Sequence, residues 1–386
     1  MKIDYSKYLD KVKFWKETIE NVKDFTGTSP PSVFVGKANY PRIFVGILSP
    51  PNHNPDAEIL DSPERWYQQK ASIDQIFGYR GQMIYSRLKA SSIKPTSNKL
   101  IDVVQEVSMS KDKADVEIKL KKTPEFKFSF SNYFAPVGNP APIETARLTE
   151  NPKVDIKVEH AVSDTDLKAA NAIVDLYSHI PVSNIQKIFS VGLLGVPLQR
   201  KFVPTRWSIT GVDDIIGKHL MENVRHYNNL DEIRLFRNDY IGNTFHILLI
   251  PREYQFELVE IWDTDKPFPG IGSDYEPYWG RKTYAERTAG GFYASRLPVL
   301  EYLDKIEKQA SILIVREVKP EYFAPVGVWK IRETVRDAFN KPFERFDDLE
   351  QAFTRITNKC VTKNMWKRES KLFKILREQK GLAKFL

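Results

Sequence analysis

The chain has 386 residues, of which 41% are hydrophobic and 12% aromatic, a composition typical of a folded globular protein rather than a disordered one. No apolar run reaches the length of a membrane span, and the first residues lack the apolar core of a signal peptide, so we expect a soluble cytoplasmic protein. Cys360 is the only cysteine, which excludes intrachain disulfides and cysteine-rich zinc sites, so no zinc is expected from cysteines.

The first half of the chain is predicted to mix helices and strands. Apolar residues at helical spacing predict a helix over residues 4–24. Two β-branched and aromatic runs bounded by Pro and Gly predict paired strands within 33–36 and 40–51. Ser62-Pro63 predicts the start of a helix that runs to about Phe77. The same patterns predict helices at 98–108, 164–177, 183–191 and 212–227, and strands at 115–121, 126–130, 154–162 and 206–210.

The second half continues the mixture. Predicted strands at 231–237, 244–250, 254–262 and 311–318 are joined by predicted helices at 292–309, 327–339 and 346–356. Residues 263–291, rich in Gly, Pro, Tyr and Trp, are predicted to form a long loop. The predicted fold class is therefore α/β (mixed α+β), a large mixed-sheet body with flanking helices, followed by a C-terminal basic helix and a flexible tail.

Almost all of the net charge of +8 lies at the C-terminus. Residues 359–386 hold nine Lys or Arg and two Glu, a net +7, and this asymmetry favours a polyanionic partner. Val361, Met365, Leu372 and Leu376 form an apolar stripe at helical spacing, so we expect one helix that packs on the body and turns a basic face to DNA phosphates. A merely solvated charged face is the alternative. The candidate contacts are Lys363, Lys367, Lys371 and Lys374.

The last eight residues read Gln-x-x-Leu-x-x-Phe-Leu. One helical turn places Leu382, Phe385 and Leu386 on one side as an apolar plug and leaves the Gln379 amide free for a polar pocket. This pattern resembles the PIP motif with which replication and repair proteins dock on the sliding clamp (PCNA). The alternative is a helix end that packs on the protein's own body, but chain ends are usually mobile, which favours docking.

Arg206, Asp213 and Asp214 are the first candidates for chemistry. Arg206 belongs to a predicted strand, and the two acids open the next predicted helix. Adjacent carboxylates can contribute to a Mg²⁺ or Mn²⁺ site of the kind that phosphodiester cleavage uses, with Arg206 steadying a phosphate. Acids in a first helical turn are also ordinary stabilisers of the helix dipole, so both interpretations stay open.

The 263–291 loop is a second candidate, because glycine-led helix starts and nearby arginines can seat a phosphate. Aromatic side chains in the same loop can stack on unpaired bases. A well-packed loop with surface ion pairs is the alternative. The acids are Asp263, Asp265, Asp274 and Glu276, the cations Arg281, Lys282, Arg287 and Arg296, the glycines Gly290 and Gly291, and the aromatics Tyr275, Tyr278 and Trp279.

Two weaker signals involve Glu317 and the histidines. Glu317-Val-Lys319 matches a pattern found in metal-dependent nucleases, but alternating charges on exposed strands produce the same tripeptide elsewhere in this chain. The six histidines show no metal-ligand spacing, and His246, within an apolar run, is expected to be a structural residue with satisfied hydrogen bonds.

One hexapeptide occurs twice, at 133–138 and at 322–327, as Tyr-Phe-Ala-Pro-Val-Gly. We expect either two matching strand-to-helix corners that flank one cleft, or a recurring packing corner without chemistry.

Several longer stretches resemble the archaeal NreA/NreB DNA-repair family. They are the Ser-Pro-Pro borders of the first strand pair and residues 191–201, 203–214, 289–302 and 327–333. The resemblance covers nearly the whole chain and implies two Nre-like regions, 1–262 and 263–358, ahead of the basic clamp-binding segment 359–386. Many members begin with a cysteine-rich segment, which this chain lacks.

The resemblance implies a role in DNA-damage repair at the nucleoid, with recruitment by the sliding clamp. It supplies no reaction, so two hypotheses remain. The protein either binds DNA and cleaves it with a divalent metal, or it is a non-catalytic scaffold that couples the clamp to another repair enzyme.

Overall fold

The computed structural model describes residue 13 and residues 16–95, 97–126 and 137–382, without the side chains of 379–382. The chain forms two compact units: an N-terminal unit that runs to Ile215 and includes Ala324–Val326, and a C-terminal unit made of Ile216–Phe323 and the chain from Gly327. Each unit contains a six-stranded mixed sheet, which confirms the mixed α/β class. Among the described residues, no helix is long and apolar enough to cross a membrane.

Six strands form the sheet of the N-terminal unit: β1 (Asp24–Ser29), β2 (Val33–Val35), β3 (Phe44–Ser49), β4 (Ile84–Lys89), β5 (Ala114–Leu120) and β6 (Asn139–Leu148). Their order is β1-β5-β6-β4-β3-β2, in which β4 and β6 are parallel and the other neighbours antiparallel. The predicted strand pair is confirmed as β2 and β3. In β5 the predicted alternation is also confirmed, since every second residue from Ala114 is buried.

The N-terminal unit contains the helices α1 (Pro63–Gln68), α2 (Ile73–Gly81), α3 (Lys99–Met109), α4 (Ile156–Ser163), α5 (Ala169–Tyr177) and α6 (Val182–Ser190), with 3-10 turns at Ala57–Asp61 and Pro197–Gln199. The single helix predicted from Ser62 to Phe77 is two helices. Lys70 has a φ of +52°, which an α-helix cannot accommodate, and Ser72 starts α2 with a capping box to Gln75.

The helix α7 (Thr205–Val224) begins in the N-terminal unit and ends in the C-terminal unit. The family-derived boundary at 262/263 and this division at 215/216 therefore lie at different places in the chain. The strand predicted at 206–210 is wrong, because these residues are the first turns of α7. Ser208, Val212 and Ile216 are buried at a spacing of four residues, which is the spacing of a helix face and not of a strand.

The C-terminal unit contains the strands β7 (Asn228–Asn229), β8 (Ile233–Tyr240), β9 (Asn243–Ile250), β10 (Gln255–Trp262), β11 (Gly270–Glu276), β12 (Lys308–Gln309), β13 (Ser311–Val318) and β14 (Glu344–Phe346). The main sheet has the order β11-β10-β13-β9-β8-β14, and β7 pairs with β12. Within the main sheet β10 and β13 run parallel, so their carboxyl ends meet at one edge. The predicted strands at 231–237, 244–250, 254–262 and 311–318 are confirmed.

Five helices complete the C-terminal unit: α8 (Gly290–Lys305), α9 (Trp329–Ala338), α10 (Leu349–Lys359), α11 (Met365–Glu369) and α12 (Lys371–Leu382). The last three cover one face of the main sheet, where Phe353, Trp366 and Leu376 pack with Leu248 and Val315. The single basic helix predicted for the tail is thus two helices with a break at Ser370. Val361 is 57% exposed, so it does not belong to the buried stripe, whereas Leu372 and Leu376 do.

Two other predictions differ from the structure. Residues 154–162, predicted as a strand, form most of α4, which Asp155 caps by accepting a hydrogen bond from the Lys157 amide. Residues 263–291, predicted as a loop, contain β11. Residues 127–130 of the strand predicted at 126–130 and most of the helix predicted at 4–24 lie outside the described residues, but residues 16–19 are helical.

The two copies of the hexapeptide share one backbone feature. Their last residues, Gly138 and Gly327, have φ values of +122° and +101°, a region that favours glycine. At Gly138 an added Cβ would also approach the Leu48 side chain to 2.8 Å. The first copy leads into strand β6 rather than a helix, so the prediction of two matching strand-to-helix corners is wrong. Residues 133–136 lie outside the described residues.

Candidate functional site

The C-terminal segment 360–382 is fixed to the sheet by a buried carboxylate. Glu257 of β10, fully buried, accepts hydrogen bonds from the Ser370 hydroxyl at 2.5 Å, the Lys371 amide at 2.7 Å and the Leu372 amide at 2.8 Å. Amides in the first turn of a helix have no partner within the helix, so Glu257 supplies one for each of these two. A negative charge at this end of α12 is also favoured by the helix dipole. Burial raises the pKa of Glu257, although the three bonds oppose that effect. The start of α12 is therefore anchored to the core.

With its apolar side buried, the segment turns its cations outward. Leu372, Phe373 and Leu376 are at most 7% exposed. Among the predicted DNA contacts, Lys363, Lys371 and Lys374 are exposed and Lys367 is half-buried beside the rings of Trp366 and Phe373. We give the name basic surface to the exposed cations of this segment together with Lys359, the residue before it. They are Lys359, Lys363, Arg368, Lys371, Lys374 and Arg377.

The predicted clamp motif lies at the end of this segment. Gln379 and Leu382 fall within α12, but their side chains are not described. Phe385 and Leu386 lie outside the described residues. The motif therefore stays a prediction from sequence.

Two acids of the predicted aromatic loop, Asp274 and Glu276, accept hydrogen bonds from backbone amides of the same loop. Asp274 accepts hydrogen bonds from the Thr288 amide and hydroxyl at 2.7 and 2.9 Å and from the Glu286 amide at 3.2 Å. Glu276, fully buried, accepts from the Tyr254 hydroxyl at 2.7 Å and from the Arg281 amide at 3.3 Å. Two buried carboxylates thus hold residues 277–289 in place through hydrogen bonds to backbone amides toward both ends of that stretch.

The three arginines predicted to hold phosphate occupy different environments. Arg296 is 1% exposed and donates to Glu276 at 2.6 Å, so its burial excludes direct contact with a phosphate in this conformation, which corrects the prediction for that residue. Arg281 is largely buried and donates to the Tyr275 carbonyl at 2.8 Å. Arg287 is half-exposed and pairs with Glu369. Of the three, Arg287 has the most accessible guanidinium.

Exposed aromatic rings flank β11. Phe268 is 93% exposed and Trp279 is 82% exposed, while Tyr278 meets Trp279 edge-to-face at 4.8 Å between ring centroids. Tyr275, another predicted stacking residue, instead donates to Gln255 at 2.5 Å and lies under the Lys371 ammonium at 4.7 Å. Trp279 is therefore the predicted stacking residue that is open to a base.

Arg206, Asp213 and Asp214 all lie on α7 and have different exposures. Arg206 is exposed, Asp214 is half-buried, and Asp213 is fully buried, where it accepts a hydrogen bond from the side-chain Nε2 of Gln186 at 3.0 Å. The two carboxylates belong to the middle of the helix, which corrects the prediction that they open it. The structure therefore does not present Asp213 and Asp214 as a pair of open ligands.

A cluster of buried charges at the carboxyl edge of β10 and β13 was not predicted from the sequence. Arg316 pairs with Glu260, and it also donates to the Asn243 side-chain oxygen at 2.6 and 3.1 Å. Lys330, near the start of α9, donates to the same oxygen at 3.2 Å and lies 3.0 Å from the centroid of the Tyr322 ring. Burial and then Arg316 hold the pKa of Lys330 well below its usual range. A buried lysine of this kind, at the strand edge where α/β sheets bind ligands, is chemically a candidate base.

A second unpredicted cluster lies in the N-terminal unit around Asp61. Its carboxylate pairs with Arg80 at 2.5 Å and Lys187 at 3.2 Å and accepts from the Ser32 hydroxyl. Burial raises the pKa of Asp61, but the two cations and the hydroxyl outweigh it and hold that pKa at about 2. The group is therefore an ionised anchor at neutral pH.

The fold and these clusters define a two-unit mixed α/β protein with buried charge networks in each unit and a basic surface on its C-terminal segment. Two family models, described as Archaeal Nre, N-terminal and Archaeal Nre, C-terminal, match residues 4–268 and 276–385. The chain therefore belongs to the archaeal Nre family, which confirms the resemblance. No solved structure matches the chain.

Three relatives agree with this assignment. The chain is 38% identical to "DNA repair protein NreA" of Haloferax volcanii over 338 residues, which cover 84% of this chain and 80% of the relative. It is 39% identical to "DNA repair protein NreA" of Archaeoglobus fulgidus over 363 residues, covering 91% and 90% of the two chains. It is 36% identical to "DNA repair protein NreB" of the same organism over 336 residues, covering 86% and 84%.

Proposed function

We propose that this protein acts in DNA repair, binds DNA phosphates with the basic surface, and is brought to DNA by the sliding clamp through residues 379–386. The repair role follows from the names of three relatives that span most of the chain. The DNA contact is carried by one observation: five of the six cations of the basic surface are exposed on the C-terminal segment, whose apolar side is buried in the core, and the sixth, Lys359, directly precedes it. Because the segment is anchored by Glu257, those cations are presented on a fixed scaffold and not on a free tail.

Binding through this surface is expected to depend strongly on salt and weakly on base sequence, because lysines and arginines contact phosphates. Each phosphate contact steepens the dependence of log affinity on log salt concentration by about 0.9 for duplex DNA. Replacing Lys371, Lys374 and Arg377 together by Gln should therefore reduce the slope by about 2 to 3 and weaken binding equally for unrelated sequences.

Fluorescence anisotropy with labelled duplex and single-stranded DNA at several salt concentrations measures this slope. The matched control replaces Lys111, Lys153 and Lys157, three exposed lysines of the N-terminal unit, by Gln and removes the same total charge. An equal loss of affinity in both triple variants would show that net charge alone, and not the basic surface, accounts for binding.

Clamp recruitment is tested separately. Replacing Phe385 and Leu386 by Ala should abolish binding to the purified clamp in surface plasmon resonance, because these residues form part of the apolar plug. The folded core and the DNA affinity should stay at wild-type levels. Unchanged clamp affinity would refute the assignment of the octapeptide.

Whether the protein also cleaves DNA is a further question, for which Asp213 and Asp214 are the proposed metal ligands. The protein is incubated with single-stranded, nicked and branched DNA in Mg²⁺ or Mn²⁺ and in chelator. Metal-dependent cleavage that Asp213→Asn/Asp214→Asn abolishes, with folding retained, supports a nuclease. Lack of turnover on every substrate supports the scaffold that couples the clamp to another repair enzyme, which the pairing of Asp213 with Gln186 favours.

A further inference from the structure

His246 has an unexplained environment inside the C-terminal unit. Its side chain lies in β9, 1% exposed, and neither ring nitrogen has a hydrogen-bond partner among the described residues. The sequence-based expectation of a satisfied structural histidine is therefore wrong. An imidazole buried without partners costs about 1–3 kcal/mol, and such a group in a native structure calls for an explanation, which an unseen ion would supply.

Two further metal-ligating groups lie beside this ring. The β9 and β13 register pairs Thr244 with Glu317 and His246 with Val315, so His246 and Glu317 are diagonal neighbours on one face of the sheet. Cys360, the C-cap residue that follows α10, lies over the same face. One ligand atom from each of His246, Glu317 and Cys360 lies within 4.8 Å of the others, and all three residues are at most 1% exposed.

We propose that His246, Glu317 and Cys360 bind one zinc ion, which fastens the C-terminal segment to the central strands of the sheet. The donor set is nitrogen, oxygen and sulfur, all of which are ordinary zinc ligands. In tetrahedral zinc sites these atoms lie about 2.0–2.3 Å from the ion and so roughly 3.5 Å from one another, which requires only a small contraction of the cluster. The sequence excludes a cysteine-rich site, but not this mixed one.

The charges and the surrounding bonds fit a divalent cation. A cysteine thiolate and a glutamate carboxylate together balance the charge of the ion, while the imidazole binds as a neutral ligand. Glu317 is already oriented by the Thr362 amide at 2.9 Å and the Thr362 hydroxyl at 2.6 Å, both on Oε1, and by the Val361 amide at 3.1 Å on Oε2. Oε2 therefore has a lone pair left for the metal, and the other contacts are the supporting bonds that hold a metal ligand in place.

Proton release accompanies binding. A cysteine thiol that binds no metal carries its proton at neutral pH, and Cys360 is buried. Zinc displaces that proton to the solvent and forms the zinc–sulfur bond, with no change in oxidation state. The cations near the cluster that oppose the ion are Arg237, Lys319 and Lys363, of which Arg237 is itself paired with Asp239 at 3.2 Å.

The primary test uses metal alone. The protein is stripped with a chelator, loaded with Zn²⁺ or Co²⁺, desalted and analysed by elemental analysis and absorption spectroscopy. We expect about one ion per chain, since the described residues contain one such cluster, and a near-ultraviolet thiolate-to-cobalt charge-transfer band. Cys360→Ser should remove the band, and His246→Gln should weaken binding at least about tenfold. The matched control is His226→Gln, an exposed histidine of the same unit, which should bind like the wild type.

A second test needs no variant, because Cys360 is the only thiol in the chain. Its rate of reaction with a thiol reagent should fall at least about tenfold in Zn²⁺ relative to chelator. Substoichiometric metal after loading, wild-type affinity in His246→Gln, or equal thiol reaction rates with zinc and chelator would each overturn the proposal.

Discussion

Replacing Glu257 by Gln isolates the anchor of the C-terminal segment. The substitution keeps the size of the side chain but removes the negative charge, and one of the two carboxylate oxygens becomes an amide NH₂. Lys371 donates its amide to Oε1, while the Ser370 hydroxyl and the Leu372 amide donate to Oε2. Whichever way the new amide is oriented, at least one backbone N–H faces another donor.

The expected loss in the free energy of α12 docking follows from the hydrogen bonds that the substitution removes. A hydrogen bond to a charged group contributes about 1.5–3 kcal/mol, and a buried donor left unpaired costs about 1–3 kcal/mol. Because burial raises the pKa of Glu257, desolvation of the carboxylate offsets part of that gain. We therefore expect Glu257→Gln to weaken the docking of α12 by about 2–3 kcal/mol, which is roughly a 30- to 150-fold change in the local opening equilibrium.

Hydrogen exchange followed by mass spectrometry measures that opening on peptides that cover residues 366–378. Amides of this segment should lose protection by that factor, while those of the central strand β9 keep theirs. Glu253→Gln, an exposed glutamate just before β10, is the control and should leave exchange unchanged. If protection in Glu257→Gln stays within threefold of the wild type while the protein is folded, the carboxylate does not anchor the helix and the argument fails.

Two further predictions concern stability. Asp61→Asn leaves two partly buried cations without their buried partner and should destabilise the N-terminal unit by about 2–3 kcal/mol at pH 7, measured by urea unfolding. Because the folded pKa of Asp61 is about 2 against 3.8 unperturbed, its contribution is present above about pH 4 and is lost as pH falls toward 2, so the two proteins should converge in acid. Gly291→Ala places a methyl 2.6 Å from Oε1 of Glu260 and should lower stability by about 1–3 kcal/mol, whereas Gly36→Ala, with no contact closer than 3.7 Å, should be nearly neutral in a thermal scan.

Sequence periodicity predicted strands such as β5, whose buried residues are apolar, but it did not predict β1, β4, β6 or β11. The strand β11 was missed because its buried positions are Gly272, Asp274 and Glu276, the reverse of the usual apolar alternation. Residues 154–162 suggested a strand because charged and apolar residues alternate there, yet Asp155 starts a helix and leaves Ile156 75% exposed. In β11 the local pattern conflicted with tertiary contacts that no short window contains, whereas at 154–162 the alternation concealed a local helix cap.

The buried charge clusters could not be predicted from local sequence patterns, because their members are far apart in the chain. Asn243 and Lys330 are 87 residues apart, and the Asp61 group spans more than 100 residues. A signal was nevertheless present, since Glu257 and Glu260 interrupt one apolar strand and Arg316 and Glu317 another. Charges in the middle of such strands are costly unless they are paired, so they mark internal networks. The basic surface, by contrast, was predictable because charge composition is itself a local property.

The two carboxylates that close residues 277–289 have a consequence for recognition. Because Asp274 and Glu276 bond to backbone amides at both ends of that stretch, the backbone around Trp279 is already restricted before any ligand arrives. Trp279 is nevertheless 82% exposed. Ordering a mobile loop on binding costs roughly 0.5–1.5 kcal/mol for each side chain that is immobilised. For a base to stack on Trp279, less backbone would have to be ordered, so less of the stacking energy would be offset.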